Sequence, residues 1–275
     1  MKKKHRLLTI LCYAICIVFA FVFLFPLFWS LLTSFKSYKE AFAWPPIFFP
    51  AIRLANYRSY LSQNSFLLYL RNSLIVTLVS SSVSMVVGVL AAYSLARGRV
   101  RGGNGIAMFM LASRFVPPVA TIIPLYMVYR KIGLYDTLLG LILLHIAMNV
   151  PYVVWMMRGF FRDIPIAIEE AAWIEGCGKL EGLVKIVLPM SKSGLAATAV
   201  LTMIFSWNDF LYSMSLTGAK AKTLPLSMGI YMNETGIEWQ MMATCAVMIM
   251  LPALIFSILV HRNLGAGLSF GAVKE

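Results

Sequence analysis

Apolar positions gather into six long runs, at residues 7–33, 73–95, 106–129, 138–157, 194–216 and 241–260. A helix rising 1.5 Å per residue needs about 20 apolar residues to cross roughly 30 Å of hydrocarbon, and each run meets that length. The pattern predicts an all-α polytopic membrane protein with six transmembrane helices, which puts both termini on one side. Two polar connections are longer than a turn. Residues 34–72 hold Trp44-Pro45-Pro46 and Pro50, which interrupt helices. Residues 158–193 mix aliphatic and charged positions in a way that predicts folded helices. Neither a linker nor a repeat divides the chain, which reads as a single domain, 1–275. Its parts are a first helix (1–33), an outer loop (34–72), a five-helix core (73–262, including the loop 158–193) and a tail (263–275).

Composition agrees with lipid as the main solvent. Hydrophobic residues make up 60% of the chain and charged residues 13%, against about 45–50% and about 25% in soluble domains. The net charge of +13 does not point to nucleic acid, because the basic residues cluster at the ends of apolar runs and the aromatics lie within them. With the N-terminus inside, Lys2, Lys3, Lys4, Arg6, Arg97, Arg99, Arg101, Arg158, Arg162, Lys179, Lys185 and Lys192 fall on the cytoplasmic face, which carries the larger share of basic residues. The run at 7–33 is too long for a signal-peptide core of about 7–15 residues, so it reads as a retained first helix.

Little points to chemistry on this chain. Cys12, Cys16, Cys177 and Cys245 form no disulfide framework, and His5, His145 and His261 are widely separated in the topology, so neither a metal site nor a catalytic constellation is expected. A Gly-x-x-x-x-Gly-Lys-Ser/Thr phosphate loop is lacking, so the chain has no such means of binding ATP. The second run is rich in small and hydroxylated residues (Thr77, Ser80, Ser81, Ser82, Ser84, Gly88, Ala91, Ala92) that suit close helix packing.

In the inner loop, Asp163 followed by Pro165 predicts a helix start. Glu169 and Glu170 follow early, where the helix dipole favours acids, and Gly176 and Gly178 end the element. A second helix is expected with Leu180, Leu183, Val184 and Val187 on one apolar stripe, Glu181 and Lys185 paired at i, i+4, and Pro189 stopping it. Read from these residues alone, the two short helices are either a docking knob for a partner or an amphipathic element lying on lipid headgroups.

The spacing Glu170-Ala171-Ala172, Gly176, Ile186-x-Leu188-Pro189 resembles the EAA loop of binding-protein-dependent ABC importer permeases. Beyond it, Arg71-Asn72-Ser73, Ala92-Tyr93 with Ala96-Arg97, Trp207-Asn208-Asp209-Phe210-Leu211 and the ending from Gly267 to Lys274 resemble the maltose-type carbohydrate-uptake subgroup, and its shorter inner-membrane subunit in particular. Ser193, Glu175 and His261 depart from that pattern, which usually has proline, aspartate and glutamine there. The resemblance implies a permease, not an enzyme, in a bacterial or archaeal plasma (inner) membrane. It implies as partners two cytoplasmic ABC ATPase subunits that carry ATP and Mg, a second homologous permease subunit and an extracytoplasmic solute-binding protein. Glu169, Glu170, Ala171, Ala172, Gly176, Ile186, Leu188 and Pro189 would be the coupling residues. The expected cargo is a sugar or oligosaccharide, with a non-sugar solute or secondary transport as the alternatives.

Polar residues within the apolar runs are the candidates for the substrate pathway. Arg114, before Pro117-Pro118, should face either an ion-pair partner or a wet cavity. Asn149, Tyr152, Trp207, Asn208 and Asp209 offer hydrogen bonds and ring faces that suit a sugar, although Trp207 and Tyr212 also fit as interface anchors.

Overall fold

The computed structural model describes residues 2–98, 100–233 and 236–264; the ending from Gly267 to Lys274 lies outside the described residues. Its elements in order are α1 (Lys2–Ser34), α2 (Tyr38–Ala41), α3 (Ala55–Leu61), α4 (Asn64–Ala96), α5 (Gly103–Ser113), α6 (Pro118–Lys131), α7 (Leu138–Arg162), α8 (Ile166–Ile174), α9 (Lys179–Gly182), a π-helical turn (Leu183–Val187), α10 (Leu188–Met190), α11 (Lys192–Trp207), α12 (Leu211–Leu216), a 3₁₀ segment (Leu224–Tyr231), the antiparallel pair β1 (Met232–Asn233) and β2 (Gly236–Ile237), and α13 (Trp239–Leu264).

Among the described residues, four helical segments are long and apolar enough to span a membrane: Thr9–Ser34, Ser65–Ala96, Leu138–Arg162 and Trp239–Ile258. Two further runs are bent. The expected helix over 106–129 breaks between α5 and α6 with an 89° bend, and the stretch Lys179–Met190 meets α11 at 84°. The first break follows from proline chemistry: Pro117 and Pro118 donate no N–H, and the residue before each is pushed away from the α region. The expected run 194–216 also divides, because α11 stops at Trp207 and Asp209 starts α12 by accepting the N–H groups of Tyr212 (3.2 Å) and Ser213 (3.0 Å). The connection expected over 34–72 is shorter, since α4 begins at Asn64 and not at residue 73.

The described residues gather into two compact units. In the first (residues 2–66 and 227–250), none of the spanning window of α1 is buried, and its exposed aromatic residues include the stacked Phe19 and Phe23. The end of α1 is closed by Asn56 Nδ2, which donates to the Ser34 and Lys36 carbonyls (2.8 and 2.9 Å). Tyr60 and Ser227 share a buried hydroxyl hydrogen bond of 2.6 Å.

The second unit (residues 67–226 and 251–264) holds a packed helical core. Thr77, Ser80, Ser81, Ser84, Gly88 and Ala92 turn inward along α4, whereas Ser82 faces out. A Cβ at Gly88 would lie 2.6 Å from Val153 Cγ1, so the lack of a side chain there is what lets α4 and α7 touch. Val89, Ala92 and Tyr93 of α4 pack with Val153, Met157 and Phe161 of α7 and with Leu183 and Val187 of the π turn. Asn72 Nδ2 donates to the Lys220 and Lys222 carbonyls (both 2.9 Å), and Ser73 Oγ accepts the Leu224 N–H (2.7 Å). The Arg71-Asn72-Ser73 stretch therefore lies inside α4 and stitches it to the chain after α12.

Candidate functional site

The loop after α7 folds as a helix, a tight turn and a second, irregular helix. Asp163 does not start α8: it is the C-cap of α7, in the right-handed α region with its N–H on Gly159 O (3.3 Å). Pro165 takes the N-cap position of α8 without a side-chain bond, and its fixed φ sets the reversal in place of a capping oxygen. At the other end, Gly176 adopts φ +94°. Its N–H reaches Trp173 O (3.1 Å) while the Cys177 N–H reaches Ala172 O (2.9 Å), the paired bonds of a Schellman cap. Gly182 lies against the Trp173 indole and lets α9 fold back on α8.

The stripe expected on the second helix does not form as one face. Leu183 and Val187 are buried, but Leu180 and Val184 are 65% and 54% exposed. The cause is the π turn, in which the Leu188 N–H returns to Leu183 O and widens the spiral beyond the 3.6-residue period. Pro189 does not stop the helix either; it lies within α10, and the direction changes at Ser191, whose Oγ takes the Val187 carbonyl (2.7 Å). Glu181 and Lys185 do pair, at 2.5 Å, on the exposed side.

The two adjacent glutamates point opposite ways. Glu170 and Ala171 are exposed, Ala172 is half-buried, Gly176 and Pro189 are exposed, and Ile186 and Leu188 are half-buried. Glu169 is fully buried. Its Oε2 accepts the Tyr93 hydroxyl (2.5 Å), and its Oε1 accepts Arg97 Nε (2.6 Å) and pairs with Arg97 Nη2. Arg97 Nη1 also donates to the Phe161 carbonyl (2.8 Å). Nearby, Arg158 and Arg162 both donate to Asn104 Oδ1, the latter at 2.8 Å. Tyr93 and Arg97 carry resemblance in the sequence without showing any task there; their partner lies in a helix distant along the chain.

Within the second unit, Arg114, His145, Asn149, Phe205, Asp209 and Tyr212 line a cavity of about 170 Å³. Arg114 Nη1 donates to Met148 O (2.6 Å), and its guanidinium lies 5.7 Å from the Tyr152 ring and 5.1 Å from the Phe205 ring. Among the described residues it makes no ion pair, and it lines the cavity. Asn149 Nδ2 donates to Ser206 Oγ (2.8 Å), and His145 Nε2 lies 3.6 Å from Asp209 Oδ2. The cavity thus brings together Arg114, Asn149 and Asp209, with Tyr152 beside them. Trp207 is buried away from it, edge-on to Phe256 at 6.0 Å, and Asn208 is exposed elsewhere. His145 was missed as a lining residue, yet His145, Met148, Asn149 and Tyr152 follow the i, i+3, i+4, i+7 spacing of a single helix face. No group of three or more His, Cys, Asp or Glu that could hold a metal occurs among the described residues.

The model of the binding-protein-dependent transport system inner membrane component matches residues 84–268. The sulfoquinovosyl glycerol transport system permease protein of Agrobacterium fabrum is 32% identical over 91% of this chain and 89% of its own length. The trehalose transport system permease protein of Mycobacterium tuberculosis is 33% identical over 80% of this chain and 81% of its own. Among solved structures, a chain of a bacterial ABC transporter that imports the acidic polysaccharide alginate superposes with a TM-score of 0.76 at 24% identity, covering 94% of this chain and 96% of that one. The chain therefore belongs to the binding-protein-dependent transport system inner membrane components, as an integral membrane permease subunit of an ABC importer.

Proposed function

We propose that this chain forms half of the translocation pore of a plasma-membrane importer for a sugar or oligosaccharide, and that α8 to α10 dock on a cytoplasmic ATPase. The observation that carries this reading is the loop's outer face. Ile174 is 88% exposed, and with Leu180 and Val184 it leaves an apolar surface beside Glu170, Glu175 and Glu181. An exposed apolar patch with a charged rim is the signature of a partner surface. Anionic headgroups would repel Glu170 and Glu175, which argues against the loop lying on lipid, whereas Glu181 is matched by Lys185.

In this reading α5 and α6 together make one span and the run that starts with α11 makes another, while Lys179–Met190 stays on the cytoplasmic side, giving six spans with both termini cytoplasmic. Two ATPase subunits hydrolyse ATP with Mg, and their closure moves α8 between two arrangements of the pore, a two-state element biased by nucleotide. A second permease chain supplies the other half of the pore, and an extracytoplasmic binding protein delivers the cargo. The cavity at Arg114 falls below the roughly 300–1,000 Å³ of most ligand sites, as suits a wall completed by a second chain. Its amide, hydroxyl and ring faces suit a sugar, as do the cargoes named for the two relatives. The experiment is Glu170→Lys in the assembled importer. Loss of the bound ATPase and of uptake, with normal amounts of chain in the membrane, is the expected result. Normal uptake would overturn the docking role of α8.

A further inference from the structure

We infer that Glu169 is not a contact for the ATPase but the joint that makes α8 move as one body with the inner ends of α4 and α7. The inference rests on the docking role proposed for α8 and adds how a push there reaches the pore. A carboxylate with no exposed surface cannot touch a partner, and burying it is costly unless its charge is matched. Here the match is close to complete. The Arg97 side chain, 5% exposed, meets Glu169 with its planar fork, and the Tyr93 hydroxyl takes the second oxygen.

The third contact turns an ion pair into a joint. Arg97 and Tyr93 belong to α4, Glu169 to α8, and the Phe161 carbonyl that receives Arg97 Nη1 belongs to α7. Sliding α8 against α4 would separate charges in a dry site, and sliding α4 against α7 would break the Arg97 bond to the Phe161 carbonyl, each bond being strong there. Tyr93 and Phe161 also meet edge to face at 6.1 Å, which fills the space between the two spanning helices around the joint. Adjacent glutamates thereby divide the work: Glu170 faces the partner and Glu169 transmits.

The test uses the whole importer, reconstituted with its ATPases, partner permease and binding protein, and reads three quantities: ATPase retained on purification, ATP hydrolysis rate, and uptake per ATP. Glu169→Gln keeps the shape and removes the charge. The expected result is retained ATPase and continued hydrolysis, with uptake per ATP lowered by at least about fivefold, the lower end of typical coupling factors. Should Glu169→Gln not accumulate, Tyr93→Phe carries the same test, since it removes a single hydroxyl from the joint. Unchanged uptake per ATP, or loss of the ATPase from Glu169→Gln, would overturn the inference. Glu170→Lys run beside it separates the two claims. Retention of the ATPase by Glu170→Lys defeats the docking reading, whereas unchanged coupling in Glu169→Gln alone defeats the joint.

Discussion

Asp136, between α6 and α7, should be one of the most costly polar residues to remove from the second unit. It has φ +57°, unusual for a residue with a side chain, and its own N–H is spent on Leu216 O (2.9 Å). Its carboxylate then accepts four successive backbone donors, from Gly218 (2.8 Å), Ala219 (3.1 Å), Lys220 (3.1 Å) and Ala221 (3.0 Å). The donors of Ala219 and Lys220 lie in the open, where water can replace the carboxylate. The shielded pair, Gly218 and Ala221, is left to count. At about 1.5–3 kcal/mol for a bond to a charged group, and with sharing of one oxygen discounted, Asp136→Ala forfeits about 2–4 kcal/mol. An alanine held at positive φ adds roughly 1–2 kcal/mol. Asparagine keeps an acceptor and tolerates positive φ, so Asp136→Asn should cost about half as much.

Thermal unfolding of the purified permease reads the series directly, with Asp136→Ala lowered by on the order of 10 °C and Asp136→Asn between it and the parent. pH gives a second axis. Burial raises the Asp136 pKa, but the four N–H donors outweigh it and hold the carboxyl below its ordinary value. A depressed folded pKa means stability that is present above the unfolded value, near pH 3.9, and lost as pH falls through the lower folded value. The gap between parent and Asp136→Asn should therefore be flat at neutral pH and close below about pH 4. Equal stability at pH 7, or a gap that widens in acid, would refute the reasoning.

Three glycines give further tests. Gly176→Ala puts a Cβ at φ +94° with nothing within 4 Å of it, so its cost is strain alone, roughly 1–2 kcal/mol. Amide exchange at Cys177, whose N–H closes the cap, should speed up by about 5–30-fold; unchanged exchange would show the cap to be unstrained. Gly88→Ala drives a Cβ to 2.6 Å from Val153 Cγ1 and 2.7 Å from its Cβ, neither at the end of a flexible chain, so α4 and α7 must part at about 1–3 kcal/mol. Gly159→Ala, with open space around it, should instead be neutral or stabilising by up to about 1 kcal/mol in thermal unfolding; the reverse order would contradict the close approach of the two helices.

What the sequence made legible was what local chain geometry decides. Apolar runs announced their helices, and Gly176 announced the end of α8, because only a residue free of Cβ enters that turn without penalty. Prolines 117 and 118 marked a break, but an 89° bend is set by what packs on either side, and an apolar run carries no angle. Asp163 misled for a related reason: an acid before a proline suits either the end of one helix or the start of the next, and the length of α7 decided the matter. The π turn was hidden because the same aliphatic residues satisfy a 3.6-residue period as readily as a wider one.

The same distinction explains why the helices of the loop after α7 could be expected from sequence and the opposite orientation of its two adjacent glutamates could not. Glu169 and Glu170 are identical in kind and adjacent, and α8 alone offers no reason for one to be buried. The reason is Arg97, which lies 72 positions earlier and brings a charge that would otherwise be stranded at the C-terminal end of α4. A buried guanidinium needs a carboxylate more than α8 needs another exposed acid, so the outward neighbour is free for a partner. The cavity at Arg114 is the converse case. Its walls come from the break after α5, from one face of α7 and from the end of α11, three places that no spacing rule joins. Arg114 there has a carbonyl and two rings as its near neighbours, and Asp209 lines the same cavity without a direct ion pair to it among the described residues; a charge held in that way is stable where water, cargo or a second chain completes its surroundings.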